Sequence, residues 1–194
     1  MNKINISDWK DFKVCKLFAI VSPATRSTKT YAKGNVPYVS SKSINNGVDS
    51  YLEPKSNEIL EKGNCITVSP LDGSAFYQEK DFLGRGGAGS AISLLYNDSL
   101  TKYNALFICS IIKKSANKFD YNDALNSTNL ANLLIKLPVQ HTKTGKIIVN
   151  KESQYSEQGY VPDWDFMDKY MKNIERKAKK KVFSLKTLTG TTNQ

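Results

Sequence analysis

Apolar residues near the C-terminus recur every three or four positions, with polar residues filling the gaps. Trp164, Met167, Met171, Ile174, Ala178 and Val182 therefore share one face of a helix. Pro162 suits the first turn, where a missing N–H costs nothing. Asp163, Asp165 and Asp168 crowd the start of the segment. Lys177, Lys179, Lys180 and Lys181 crowd its end, as the helix dipole favours. The pattern predicts a helix from about Asp163 to about Leu185, roughly 35 Å long at 1.5 Å rise per residue. Its seam needs a partner surface. Residues 1–160 read as a separate compact body, so the chain is organised as a head on a helical arm.

Within the head the periods are shorter. Residues 7–22 predict strand, with Phe12 and Val14, and Leu17 or Phe18, facing inward. Residues 23–35 are polar and basic without an apolar period, which predicts a loop. A short strand over Val36–Ser40 leads to a turn at Ser41–Gly47, where Asn46-Gly47 is the strongest signal. Asn64–Ser69, Ala75–Gln78 and Ala91–Tyr96 predict strands, with a glycine-rich turn at Gly84–Gly89. Asn97, Asp98 and Ser99 offer caps for a helix over about Leu100–Lys113, its apolar face formed by Tyr103, Leu106, Phe107 and Ile111. Residues 114–128 read as loop. Leu133–Leu137 predicts a strand ending at Pro138, followed by a polar connection with a short hairpin at Lys146–Asn150. Residues 187–194 predict a fraying tail. No internal repeat is evident. The fold class is α/β (α+β), a mixed-sheet head followed by a long helix.

Composition narrows the class of partner. The 194 residues are 40% hydrophobic and 24% charged, as in a globular protein, and the net charge of +10 points to a polyanion, nucleic acid before membrane. A merely solvated basic surface would show the same balance. Cys15, Cys65 and Cys109 form neither a zinc spacing nor a disulfide framework, which fits a reducing cytoplasm. The N-terminus carries acids by residue 11 and has no long apolar run, so neither a signal peptide nor a membrane span is expected.

Two motif look-alikes fail on context. Gly84-Arg85-Gly86-Gly87-Ala88-Gly89 matches G-x-G-x-x-G, but a dinucleotide site needs a buried strand before it and a helix after it. Pro162-Asp163 with Glu175-Arg176-Lys177 imitates the P-D…E-x-K pattern of metal-dependent nucleases. On one helix the two carboxylates lie about 18 Å apart along the axis, too far to share a magnesium ion. His141 is the only histidine and lies in a polar loop, so no Ser-His-Asp or Cys-His arrangement is indicated. No Asn-Pro-Pro-Tyr or Asp-Pro-Pro-Tyr tetrapeptide of adenine methyltransferases occurs. Neither a catalytic residue nor a metal site is assigned, and no cofactor is expected in this chain.

Binding residues are read from loop chemistry. Hydroxyls and lysines contact phosphates, whereas Arg, Asn and Gln read base edges well. Arg26, Lys29 and Lys33 lie in the first basic loop, and Ser40, Ser41 and Lys42 follow the next strand. Ser74, Tyr77, Gln78 and Arg85 form a third group. Lys118, with Lys113 and Lys114, forms a fourth. Each residue taken singly is nearly as compatible with an ordinary solvated loop. Tyr31, Tyr38, Tyr77 and Tyr121 could stack on single-stranded bases, so RNA is a further class of ligand to test.

Several stretches, taken in order, resemble a known family. They are Trp9…Phe12…Leu17-Phe18…Ile20, Gly34-Asn35-Val36-Pro37-Tyr38-Val39 with Asn46-Gly47-Val48, and Phe76-Tyr77-Gln78. The most specific is Ile135-Lys136-Leu137-Pro138-Val139 followed by Pro162-Asp163-Trp164-Asp165-Phe166-Met167. Together they span nearly the whole chain and are similar to the target recognition domain of type I restriction-modification specificity subunits, and of related half-subunits and type IIB recognition chains. The resemblance implies a target recognition domain at 1–160, a spacer helix at 161–186 and a flexible tail at 187–194. It implies a non-catalytic chain, cytoplasmic and nucleoid-associated, that reads double-stranded DNA. A DNA adenine methyltransferase subunit, which holds S-adenosylmethionine, and a restriction subunit are the partners it implies. A complete subunit has two heads and two helices, so one of each implies a half-subunit. Two copies would pair through Trp164, Met167, Met171, Ile174, Ala178 and Val182, whose near-heptad register suits antiparallel pairing. The alternatives are a truncated fragment of such a subunit, or a non-enzymatic interaction protein without sequence readout.

Overall fold

The computed structural model describes residues 4–119, 124–152 and 154–188. In chain order the elements are β1 (Lys10–Lys13), α1 (Val14–Leu17), β2 (Ala19–Val21), β3 (Lys33–Val39), β4 (Val48–Leu52), β5 (Cys65–Val68), β6 (Ala75–Gln78), β7 (Leu83–Gly84), β8 (Ser93–Tyr96), α2 (Lys102–Ser115), α3 (Ser127–Asn132), β9 (Leu134–Leu137) and α4 (Trp164–Leu188). The strands form three small sheets. β1 pairs antiparallel with β9, and β2-β8-β5-β6 form an antiparallel sheet in that order. In the third sheet, β3 is antiparallel to β4 and parallel to β7. The expected mixed α/β head with a long terminal helix is the fold that forms.

β5 organises the head. All four of its residues are buried. Side chains alternate across a strand, so Ile66 and Val68 join the core that contains Ala105, Ile108, Cys109 and Ile112 of α2. Cys65 turns the other way, into a second cluster with Val39, Phe82, Ile92 and Leu94. Tyr38, Leu52 and Leu83 make a third cluster at the β3–β4–β7 sheet. The sheet bearing the candidate loops is thus bolted to the α2 side of the head through β5.

Some elements differ from their expected form. The N-terminal strand is interrupted by α1, which lets Phe12, Val14, Leu17 and Phe18 all reach the core. α2 starts after Thr101, not after Asn97, Asp98 or Ser99. The Thr101 hydroxyl accepts from Asn104 N, and Asn104 Oδ1 accepts from Thr101 N, a reciprocal cap. Asn97 instead donates to the Leu17 carbonyl at 2.6 Å. The buried face of α2 is also rotated from the expected one. Ala105, Ile108, Cys109 and Ile112 are buried alongside Phe107, and Leu106 is exposed. From 105 to 112 every position but Ser110 is apolar, so the sequence period could not choose between adjacent faces. The sequence pattern predicts neither β4 nor α3. Residues 120–123, with Tyr121, lie outside the described residues, as does the tail at 189–194.

The arm begins inside the head. Asp163 N donates to the Pro138 carbonyl at 2.9 Å, and Gln140 N donates to the Val161 carbonyl at 3.0 Å. The Leu-Pro strand end and the Pro-Asp helix start are therefore latched together. Asp163 Oδ1 accepts from Phe166 N at 2.9 Å, so Asp163 caps α4 and Pro162 precedes the cap instead of opening the first turn. Met167 is fully buried in the main core, with Trp164, Tyr170 and Met171 packed against it.

Candidate nucleic-acid interface

The topology brings three of the four candidate patches together. Because β3 and β7 run parallel, Val39 lies beside Gly84, and the segments that follow them emerge side by side. Ser41 Oγ donates to the Ser90 carbonyl at 2.6 Å, and Ser69 Oγ donates to the Ser41 carbonyl at 3.4 Å. The loop preceding β3 closes the group. A Cβ on Gly86 would lie 2.1 Å from the Pro23 carbonyl oxygen, so only glycine allows this approach of the two backbones. The fourth patch abuts the same rim, since Gly73 sits against Ala116 at the C-terminal end of α2. For Lys118 the position in the chain is described and the side chain is not.

The side chains within this group divide into two kinds. Lys29 and Arg85 are exposed, and neither forms an ion pair among the described residues. Arg85 is held through its backbone, with N–H to the Val39 carbonyl at 2.8 Å and its carbonyl accepting from Ile92 at 3.0 Å. Its side chain projects from an anchored strand end, the arrangement a phosphate or base contact needs. Lys42 is exposed but pairs with Asp49 at 2.5 Å, which lowers its availability. Ser40 and Ser41 are half-buried. Lys33 is exposed at the opposite end of β3 from Ser40, about 20 Å along the strand.

The other candidates are internal fasteners, a correction to the loop-chemistry reading. The Arg26 side chain is only 3% exposed and pairs with Glu58 and Glu61, each at 2.7 Å. Burial works against its charge, yet the two carboxylates outweigh burial and raise its pKa. Ser74 is buried and donates to Asp72 at 2.6 Å. Gln78 is buried; its Nε2 donates to the Asn46 carbonyl and to Thr67 Oγ1, and its Oε1 accepts from Asn46 Nδ2. That network pins the 45–47 turn, where Asn45 and Asn46 adopt positive φ. Tyr77 is half-buried, its hydroxyl donating to Asn64. Charge and polarity mark these residues in the sequence, but for Arg26 and Gln78 the partners lie far away in the chain. Glu58 and Glu61 go unmarked for the same reason.

The motif look-alikes resolve structurally. Gly84 ends β7 and Gly87 and Gly89 take positive φ in a turn; the run then enters β8, with no helix to receive a phosphate. Asp163 caps α4, and Glu175 on the same continuous helix accepts from Tyr103 at 2.8 Å and pairs with Lys179. His141 lies 3.9 Å from Asp8 at the surface. Among the described residues no group of His, Cys, Asp and Glu could hold a metal, and no helix is long and apolar enough to cross a membrane.

The apolar seam of α4 splits in two. Trp164, Met167 and Met171 pack onto the head. A clasp extends this contact: Thr101 donates to Asp168, Asp168 pairs with Lys172 at 2.5 Å, and Lys172 lies 5.2 Å from the Tyr103 ring centre. Hydrogen bonds from Lys172 and Thr101 overcome the effect of burial and lower the Asp168 pKa. Beyond the clasp, Ile174 is half-buried, Ala178 is exposed and Val182 is 51% exposed. Ile174, Lys177, Ala178, Lys180 and Lys181 border an open groove there.

The structure thus presents a mixed-sheet head with loops clustered at one rim, carried on a helix rooted in its core. The sequence matches the family of the type I restriction modification DNA specificity domain over residues 6–183, and the chain belongs to that family. It is 25% identical over 173 residues to S.BcgI, the specificity subunit of a type II restriction enzyme of Heyndrickxia coagulans, covering 88% of this chain and 45% of that protein. The fold is similar to that of the HsdS subunit of Thermoanaerobacter tengcongensis, with TM-score 0.53, 14% identity, and 96% of this chain on 41% of that one. It is also similar to a chain from a structural study of type I restriction-modification complex assembly, with TM-score 0.55, 15% identity, and 97% of this chain on 43% of that one. The chain thus spans less than half the length of each of these relatives.

Proposed function

We propose that this chain is the sequence-reading component of a restriction-modification complex. Its head binds double-stranded DNA at the rim formed by residues 24–31, 40–47 and 84–90. The observation that supports this most is the juxtaposition of those loops on a family head, with Lys29 and Arg85 exposed. The chain performs no chemistry itself. It directs a DNA adenine methyltransferase subunit, the holder of S-adenosylmethionine, and a restriction subunit to an interrupted site.

Two copies pair through the outer part of α4. Because the head already covers Trp164, Met167 and Met171, the seam left for pairing runs from Ile174 through Ala178 to Val182, about 12 Å at the helical rise. Twofold pairing of identical heads predicts a palindromic site with a fixed gap. The test is binding of duplex, single-stranded DNA and single-stranded RNA in competition at about 150 mM salt, which suppresses non-specific phosphate binding. Preference for duplex supports the reading. Displacement of duplex by single-stranded RNA overturns it.

A further inference from the structure

Arg26 is the residue that loop chemistry would first assign to phosphate, and it is the one most fully engaged inside the protein. Its Nε donates to Glu58 Oε1 at 2.7 Å and its Nη1 to Glu61 Oε1 at 2.7 Å. Nη1 also reaches the Gly84 carbonyl at 3.0 Å, and Nη2 the Ile59 carbonyl at 3.0 Å. The two carboxylates extend the cluster. Glu61 accepts from Ala24 N at 3.1 Å through Oε1 and from Gly84 N at 2.9 Å through Oε2. Glu58 accepts from the Tyr31 hydroxyl at 2.7 Å and from Lys55 N at 3.0 Å.

The geometry of these bonds is specific. Both backbone polar groups of Gly84 are held by the cluster, one by Arg26 and one by Glu61. Glu61 simultaneously grips the start of the 24–31 loop, and Glu58 grips its far end at Tyr31. The cluster therefore fixes the roots of two loops that bear Lys29 and Arg85, residues with no such engagement. A buried ion pair is a poor source of net stability, but it imposes one geometry, because leaving either partner unpaired is costly. Fixing loops before binding removes an ordering cost that would otherwise be subtracted from affinity.

We propose that Arg26, Glu58 and Glu61 form a positioning device that presents the 24–31 and 84–90 loops to DNA as one preformed surface. Arg26 acts through this device and does not touch the duplex. The proposal rests on the DNA reading given above, so its test has one readout that needs no DNA. The full chain carrying Glu58→Gln or Arg26→Lys is compared with the unaltered chain for trypsin cleavage after Lys29 in the native state. Removal of a charge-assisted bond corresponds to a rise in cleavage of about tenfold or more. The second readout is the ratio of affinities for a duplex selected from a random pool and for the same duplex scrambled. That ratio falls by a similar factor, while scrambled-duplex affinity and its salt dependence stay as they are.

Folded variants with unchanged cleavage and an unchanged ratio overturn the proposal. Faster cleavage with an unchanged ratio keeps the loops fastened by the cluster but removes them from sequence reading, which overturns the claim that the device serves DNA. If the unaltered chain shows no duplex preference, it is the DNA reading that fails, and cleavage still reports on the fastening. Should both variants fail to fold, Tyr31→Phe removes only the peripheral bond to Glu58 and is read in the same two assays.

Discussion

Met167→Ala tests whether the arm is rooted in the head or merely attached to it. Met167 is fully buried among core residues of the head, although it lies in the first turn of α4. Truncation removes three heavy atoms from a packed site, which costs roughly 2–5 kcal/mol. For a chain of this size each kcal/mol lowers Tm by roughly 2–4 °C, so a fall of roughly 4–20 °C is expected. Thermal unfolding followed by circular dichroism measures it. Val182→Asp, further out on the same seam and half exposed, serves as the comparison. It should shift the monomer by no more than about 0.5 kcal/mol. A Tm for Met167→Ala within about 1 °C of the unaltered chain would refute the idea that the head's core extends into the arm.

Other consequences are independent of that one. Removing the charges of Lys29 and Arg85 together should reduce the slope of log affinity against log salt by about 1.8, or about 0.9 for each phosphate no longer neutralised; an unchanged slope excludes both from the DNA backbone. Val182→Asp should abolish self-association seen by sedimentation while leaving the head folded, and a monomeric mass for the unaltered chain at micromolar concentration would remove the pairing claim. Burial pushes the Cys65 and Cys109 thiols up to about 12, so near pH 8 both stay protonated and enclosed. A thiol-reactive dye should then label only exposed Cys15 in the native protein, with labelling of all three counted by mass spectrometry only after denaturation.

The arm is the most legible element, because a 3.6-residue period sustained over several turns with charged ends has one structural meaning. Ala75–Gln78 and Leu134–Leu137 are legible from short apolar runs bounded by turn residues. The rotation of α2 is not, since a helix apolar on most sides has no preferred face until β5 and β6 supply one. The candidate loops can be picked out in the sequence, but which of their side chains stay free of partners inside the head cannot. Composition cannot separate Arg26, locked to Glu58 and Glu61, from Arg85, which projects outward. The difference is made by segments more than 30 residues apart, joined only when β7 pairs with β3. The seam of α4 shows the same limit. Its period predicts an apolar face but says nothing of how much of that face the head itself takes.

Selection of bound duplexes from a random DNA pool at about 150 mM salt tests the central claim most directly. The account predicts recovery of a palindromic sequence interrupted by a gap of constant length. A pool that stays unenriched, both with the chain alone and with the proposed methyltransferase subunit added, would contradict it.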